Sequence, residues 1–360
     1  MKKFSMFLLL FVLLCVASTV IASPAEAADC NWDEATCEIL DGADFGGRTM
    51  VVGVWGGTIE EIYRKYIIPE IEAHNGKVEM LLGGTSDRVA KVYAERENPT
   101  MDIAYTNMFE SAKGIKEGVF EVPSADAVPA YADLYDVAKI DAYGMSFAAL
   151  GIAYKPEAFE GEPDWPDLWK PEYKGKIAMS TFPGSDSEGF LTIAGYLAGG
   201  DDTTPDLAFP KLAELKPIPL FFANLDELFM MMDKGDVVAA AVFDSYTRTY
   251  IEQGANVKFS YPKTPGAIVT MDTLCIVNNA PNRDMAIAWA QMSLSPIVQE
   301  AFAREIYFGP TNSKLVLDEE AASKVIYGEE QANSLIRMST YMTDHRDEIV
   351  ERFNREIAED

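Results

Sequence analysis

Residues 50–61 read Met50-Val51-Val52-Gly53-Val54-Trp55-Gly56-Gly57-Thr58-Ile59-Glu60-Glu61: an apolar run, a glycine pair and a polar start. A short continuous apolar run rich in β-branched residues reads as a buried strand. Thr58 followed three residues later by Glu61 is the capping-box pattern that opens a helix. Asn75-Gly76 closes that helix, because both residue types accept the left-handed conformation found at helix ends. The unit then repeats. A strand over 78–82 meets Gly83-Gly84 and the polar start Thr85-Ser86-Asp87. A third over 101–105 meets Thr106-Asn107 and a helix closing near Gly114 or Gly118. Strand, glycine or hydroxyl loop, then helix predicts an α/β protein with a parallel sheet covered by helices.

In such sheets ligands bind beyond the carboxyl ends of the strands, where loops and helix N-termini gather. Trp55, Thr58, Thr85, Ser86, Tyr105, Thr106 and Asn107 are therefore candidate ligand contacts. Each has a structural rival. Thr58 and Asn107 can serve as helix N-caps, and Trp55 can fill a core. The Gly-Gly pairs match neither the dinucleotide order G-x-G-x-x-G nor the P-loop order, so a nucleotide site is not read here.

The chain changes character after Gly144. Residues 145–154 form an apolar segment long enough to cross between two lobes, and 163–174 is a Trp- and Pro-rich turn region. A new strand at 176–180 leads through Pro183-Gly184-Ser185-Asp186-Ser187-Glu188-Gly189 into an apolar helix, 190–197. Further strands are predicted over 237–243, ending in Asp244-Ser245-Tyr246, and over 257–261. Residues 268–277 form a second crossing. Two crossings make a hinge, and a hinged cleft traps ligands.

Composition narrows the chemistry. With 48% of 360 residues apolar and 24% charged, the chain is a folded globular protein. A net charge of −27 without a basic cluster excludes nucleic acid and anionic membrane as partners. His74 and His345 are the only histidines, which excludes three-His zinc chemistry. Lys2 and Lys3, an apolar run over 4–22 and Ala25-Glu26-Ala27 form a secretion signal, cleavage expected after Ala27. The rival reading is an uncleaved anchor. In the oxidising compartment beyond, a Cys30–Cys37 disulfide is plausible, and Cys275 reads as a buried thiol. No metal site and no cofactor are read.

These residues resemble the extracellular solute-binding proteins of ABC importers, polyamine (spermidine/putrescine) type. The resemblance runs from about Val51 to Asn312. It rests on Trp55-Gly56-Gly57-Thr58, on Pro166-Asp167-Leu168-Trp169-Lys170-Pro171-Glu172-Tyr173-Lys174-Gly175, on Tyr261-Pro262-Lys263, on Met271-Asp272-Thr273, and on Ser293-Leu294-Ser295-Pro296 through Phe308-Gly309-Pro310-Thr311-Asn312. It implies a two-lobed periplasmic-binding-protein fold of type II. The expected division is a signal peptide 1–27, an N-terminal arm 28–47, lobe I over 48–148 and 273–313, and lobe II over 149–272 and 314–360.

The resemblance also implies a site. Polyamine binders line the cleft with aromatic faces for the methylene chain and carboxylates for the ammonium ends. Asp272 falls on the amine-holding aspartate, Asp186 and Glu188 lie in the loop where the second lobe supplies further acids, and Trp55 and Tyr105 fall on the lining. Phe243 and Thr270 stand where a polyamine binder is expected to carry tryptophan. Asp244 ends a strand on the cleft side and joins the candidates. The rivals are a helix cap for Asp186 and a solvated surface role for Glu188. Asp272 is hard to dismiss, because a carboxylate within an apolar strand must find a partner or shift its protonation.

The expected function is capture of a small solute, foremost a polyamine or related amine, by a monomeric periplasmic protein that hands it to permease subunits without chemical change. A small carboxylate or other anion is the alternative. Arg88 and Arg248 would hold it, against the rival that both pair with surface acids. Tyr246 and Tyr250, four residues apart, suit ferric iron less well than ordinary packing. A secreted hydrolase is a distant third, since neither histidine stands beside a G-x-S-x-G turn.

Overall fold

The computed structural model describes residues 30–359. The expected signal peptide lies outside them. The folded unit begins at Trp32. Its first half carries α1 (Glu34–Leu40), β1 (Thr49–Val54), α2 (Thr58–Tyr66), α3 (Ile68–Ala73), β2 (Lys77–Leu82), α4 (Thr85–Ala94), β3 (Ile103–Asn107), α5 (Met108–Lys116) and β4 (Tyr143–Tyr154). There follow β5 (Ile177–Ser180), α6 (Ser185–Leu197), α7 (Pro205–Ala213), β6 (Phe221–Phe222), α8 (Leu225–Lys234), β7 (Ala239–Phe243), α9 (Asp244–Glu252), β8 (Lys258–Ser260), β9 (Ile268–Ile276), α10 (Arg283–Leu294), α11 (Pro296–Glu305) and β10 (Gly309–Pro310).

The repeated strand–loop–helix unit produces the expected parallel arrangement. β1 lies between β2 and β3, parallel to both, with Thr49 opposite Lys77 and Val52 opposite Ile103. β9 returns antiparallel to β3, placing Asp272 opposite Asn107. β9 and β4 then pair antiparallel, with Ser146 also opposite Asp272 after a register shift near Gly144. Beyond β4 the order continues through β7, β5 and β6.

β4 and β9 are the crossings. Phe147 and Ala149 of β4 sit in a core with Val52, Val54, Ile103, Met271 and Trp289. Leu150 and Ile152 of the same strand sit in a second core with Ile177, Phe190, Phe243 and Phe353. Each large apolar side chain fully buried this way contributes about 1.5–3 kcal/mol over exposure. Apolar residues of the C-terminal region pack in several clusters. Ile326 and Ala332 pack in the first, Met338 through Ile357 in the second, and Leu315 to Val325 form a satellite with Ala303.

Local expectations fare unevenly. Asn107 caps α5, its Oδ1 accepting from the N–H groups of Phe109 and Glu110 at 3.0 Å. Thr58 does not cap α2: the cap is Gly57 at φ +73°, with no side-chain bond, so the expected capping box is absent. The C-terminal region is helical in three short pieces, Tyr341–Asp344, Arg346–Phe353 and a wide turn, Asn354–Ala358. Cys275 is buried and free, as read, whereas neither Cys30 nor Cys37 is a free thiol.

Candidate ligand-binding site

β1, β2 and β3 run parallel and so end on one edge. Gly53, near the end of β1, has no side chain, and a Cβ there would meet Arg88 Cδ and Met101 Sδ at 2.7 Å. The missing methyl lets Arg88 of α4 lie across the strand. Its side chain is buried, 3% exposed. Nη1 donates to the carbonyl of Tyr105 and Nη2 to that of Gly83 at 2.8 Å, so the guanidinium bridges the ends of β3 and β2. Its Cζ lies 5.0 Å from the centroid of the Trp55 ring. Nε has no partner. Burial lowers the pKa to about 10, with Asp272 opposing the shift, so Arg88 stays charged at neutral pH. The surface pairing expected for Arg88 is therefore overturned.

Asp272 lies on β9, and its charge acts on this guanidinium. It is half-buried. Its donor among neighbouring side chains is Ser146, whose Oγ lies 3.4 Å from Oδ2. That is a long contact for a charged acceptor. Loss of solvation raises the pKa to about 7, against the pull of Ser146 and Arg88. Thr270 precedes it by two residues on β9 and is also half-buried, and the two share a face of the strand.

The helices α6 and α9 contribute Asp186 and Tyr246. Asp186 lies in the first turn of α6, whose cap is Gly184 with no side-chain bond, so Asp186 is not the cap that its rival reading proposed. It is half-buried, and desolvation raises its pKa to about 6. Tyr246, on α9, is 45% exposed. Lost solvation together with the charges of Asp272 and Asp186 pushes its phenol up to about 12, so both carboxylates lie within electrostatic reach of this hydroxyl. Thr58, Thr85 and Ser86 open α2 and α4 at the strand-end edge, and both helices begin without a side-chain cap, leaving N–H groups unclaimed by one.

Several expected contacts point elsewhere. Tyr105 is 1% exposed, accepts from Trp289 Nε1 at 2.9 Å and shares a 2.9 Å bond with Ser293, so its hydroxyl is spent inside the first core. Thr106 is fully buried and bonds Thr273 Oγ1 at 2.9 Å. Phe243 packs in the second core, edge-on to Tyr246. Asp244 is buried and saturated: Oδ1 accepts from the N–H groups of Ala149 at 3.0 Å and Ser245 at 2.8 Å, and Oδ2 from the Tyr261 hydroxyl at 2.9 Å. It ties α9 to β4. Glu188 is buried rather than solvated, and Arg346 of the C-terminal helix pairs with it at 3.5 Å. Asn107 is occupied in capping. Tyr250 packs on Phe229 with ring centroids 4.2 Å apart, as ordinary packing requires, and Arg248 donates at 3.4 Å to the Ser323 carbonyl.

Arg88, expected only as an anion holder or a surface cation, is buried beneath Trp55, and Tyr246, expected as ordinary packing, feels the charges of Asp272 and Asp186. Their sequence signal was position: Arg88 follows the second Gly-Gly loop, and Tyr246 follows the end of β7. His74 is engaged with the Ala43 carbonyl at 3.1 Å and lies 3.4 Å from Glu70, away from this group. Among the described residues no cluster of three or more His, Cys, Asp or Glu could hold a metal ion.

A family model described as bacterial extracellular solute-binding protein matches residues 70–328. The chain belongs to this family. The spermidine/putrescine-binding periplasmic protein 1 of Haemophilus influenzae is 26% identical over 212 residues, 55% of this chain and 57% of the relative. The spermidine/putrescine-binding periplasmic protein of Escherichia coli is 30% identical over 169 residues, 45% and 47% respectively. The chain thus spans about half the length of these curated relatives. The crystal structure of an ABC transporter protein from Clostridium perfringens superposes with a TM-score of 0.77 at 26% identity, covering 86% of this chain and 99% of that one. The fold is therefore the two-lobed one of solute-binding proteins, with the β4 and β9 crossings between its cores. Among the described residues no helix is long and apolar enough to span a membrane.

Proposed function

We propose that this solute-binding protein captures a polyamine or related small amine in the periplasm and delivers it to the permease subunits of an ABC importer. The observation that carries the reading is the pair Asp272, on the crossing strand β9, and Asp186, in the first turn of α6. Both carboxylates are half-buried and short of donors, and both act electrostatically on the Tyr246 phenol. A desolvated carboxylate without donors is costly, and an ammonium supplies charge and hydrogen bonds together. Trp55 offers an aromatic face, worth about 0.5–2 kcal/mol to a cation. The printed names of the polyamine-binding relatives support the same chemistry. Bridging contacts to both acids would favour the closed arrangement by population shift.

The lobes in this reading are the bodies around the two cores. The exported chain works as a monomer, its arm stapled by Cys30 and Cys37 once residues 1–27 have been removed. It makes no covalent change to its guest. A small carboxylate is the second reading, favoured by the buried charge of Arg88. Thermal unfolding with putrescine, spermidine, butylamine and succinate separates the readings. An amine at about 100 times its Kd should add about 2.7 kcal/mol of stability and be recovered unconsumed. Stabilisation by succinate alone would select the anion reading, and consumption of the compound would point to an enzyme.

A further inference from the structure

The charges around the cleft do not balance as a site for several ammonium groups requires. Four acids were candidates for it: Asp272, Asp186, Glu188 and Asp244. Glu188 has Arg346 at 3.5 Å. Asp244 has three donors and the attraction of Arg248. These two acids are provided for internally. Asp272 feels the charge of Arg88, whose guanidinium is fixed on the carbonyls of Tyr105 and Gly83 and cannot swing away without abandoning both bonds. Asp186 has no cationic partner among the described residues. One negative charge is left over. The open N-termini of α2 and α4 on the same edge add partial positive charge.

We infer, on the reading that the ligand is an amine, that the cleft takes a molecule with a single ammonium group and discriminates against diamines and triamines, with Arg88 as the residue that excludes the second charge. A second ammonium entering toward the ends of β2 and β3 would meet the buried guanidinium under Trp55, and like charges in a poorly solvated site repel strongly. The other end of the preferred ligand is neutral or anionic, and an anionic end would find Arg88 attractive.

The test is calorimetric titration of the full mature chain with three four-carbon compounds: butylamine, 4-aminobutanoate and putrescine. The better of the two single-ammonium compounds should bind at least about tenfold tighter than putrescine. In Arg88→Gln that ratio should fall by about tenfold or more, while Arg88→Lys, which keeps the charge, should preserve the ranking and serves if the glutamine variant does not fold. Putrescine binding as tightly as either competitor in the wild type would overturn the inference while leaving the amine reading intact. A correct wild-type ranking that Arg88→Gln does not alter would overturn the role of Arg88. Binding of none of the three, with spermidine also silent, would overturn the amine reading itself.

Discussion

Asp272 and Asp244 invite comparison: both lie on or just after strands at the crossings, and burial raises both pKa values, to about 7 and about 6. Their surroundings differ in one respect. Asp244 has its oxygens filled by two backbone N–H groups and a phenol, and it is 3% exposed. Asp272 is half-buried and has one hydroxyl at 3.4 Å. A buried carboxylate with its donors in place is part of the architecture. One without them is a site waiting for a donor.

The sharpest way to break this contrast is Asp272→Asn. Removing the charge should cost amine binding about 2–3 kcal/mol, read by titration, while leaving the unliganded protein at least as stable. Unchanged affinity would show that Asp272 is architectural after all. Asp244→Ala should do the reverse. With the N–H groups of Ala149 and Ser245 left without their acceptor, the unfolding free energy should fall by about 1–3 kcal/mol in denaturant titration, and amine binding should persist in the folded fraction. Lost binding in a variant of unchanged stability would move Asp244 into the site.

The smallest effect is on pH dependence. Folding raises the pKa of Asp272 from 3.8 to about 7 and that of Asp186 from 3.8 to about 6. Between the unfolded and folded values the native state holds the extra protons, so these two groups make the unliganded protein less stable as pH rises from about 4 to 7. An ammonium needs the deprotonated forms. Its affinity should therefore weaken by roughly tenfold between pH 8 and pH 6, and ligand-induced stabilisation should shrink alongside. A flat profile would mean that neither acid receives the ligand.

The fold was legible because its signals are local. The Val51–Val54 and Ile103–Ala104 runs, the glycine pairs and the apolar stretches at β4 and β9 each announce an element within a few residues. Strand ends were legible for the same reason. The direction of a side chain at those ends was not. Tyr105 and Thr106 alternate along β3, yet both are buried, because α10 covers one side and β9 supplies Thr273 on the other. Whether Asp244 is filled or vacant depends on Ala149 and Tyr261, 95 and 17 residues away in sequence. Arg88 looked like one more surface cation until Gly53, 35 positions earlier in the chain, made room for it.

The most direct measurement is a crystal structure of the protein saturated with the amine that stabilises it most. The account predicts the lobes closed over the ligand, its nitrogen about 3 Å from the carboxylates of Asp272 and Asp186, and the bonds of Asp244 to Ala149 and Tyr261 unchanged. An amine bound away from both acids, or held by Asp244 in exchange for those bonds, would contradict it.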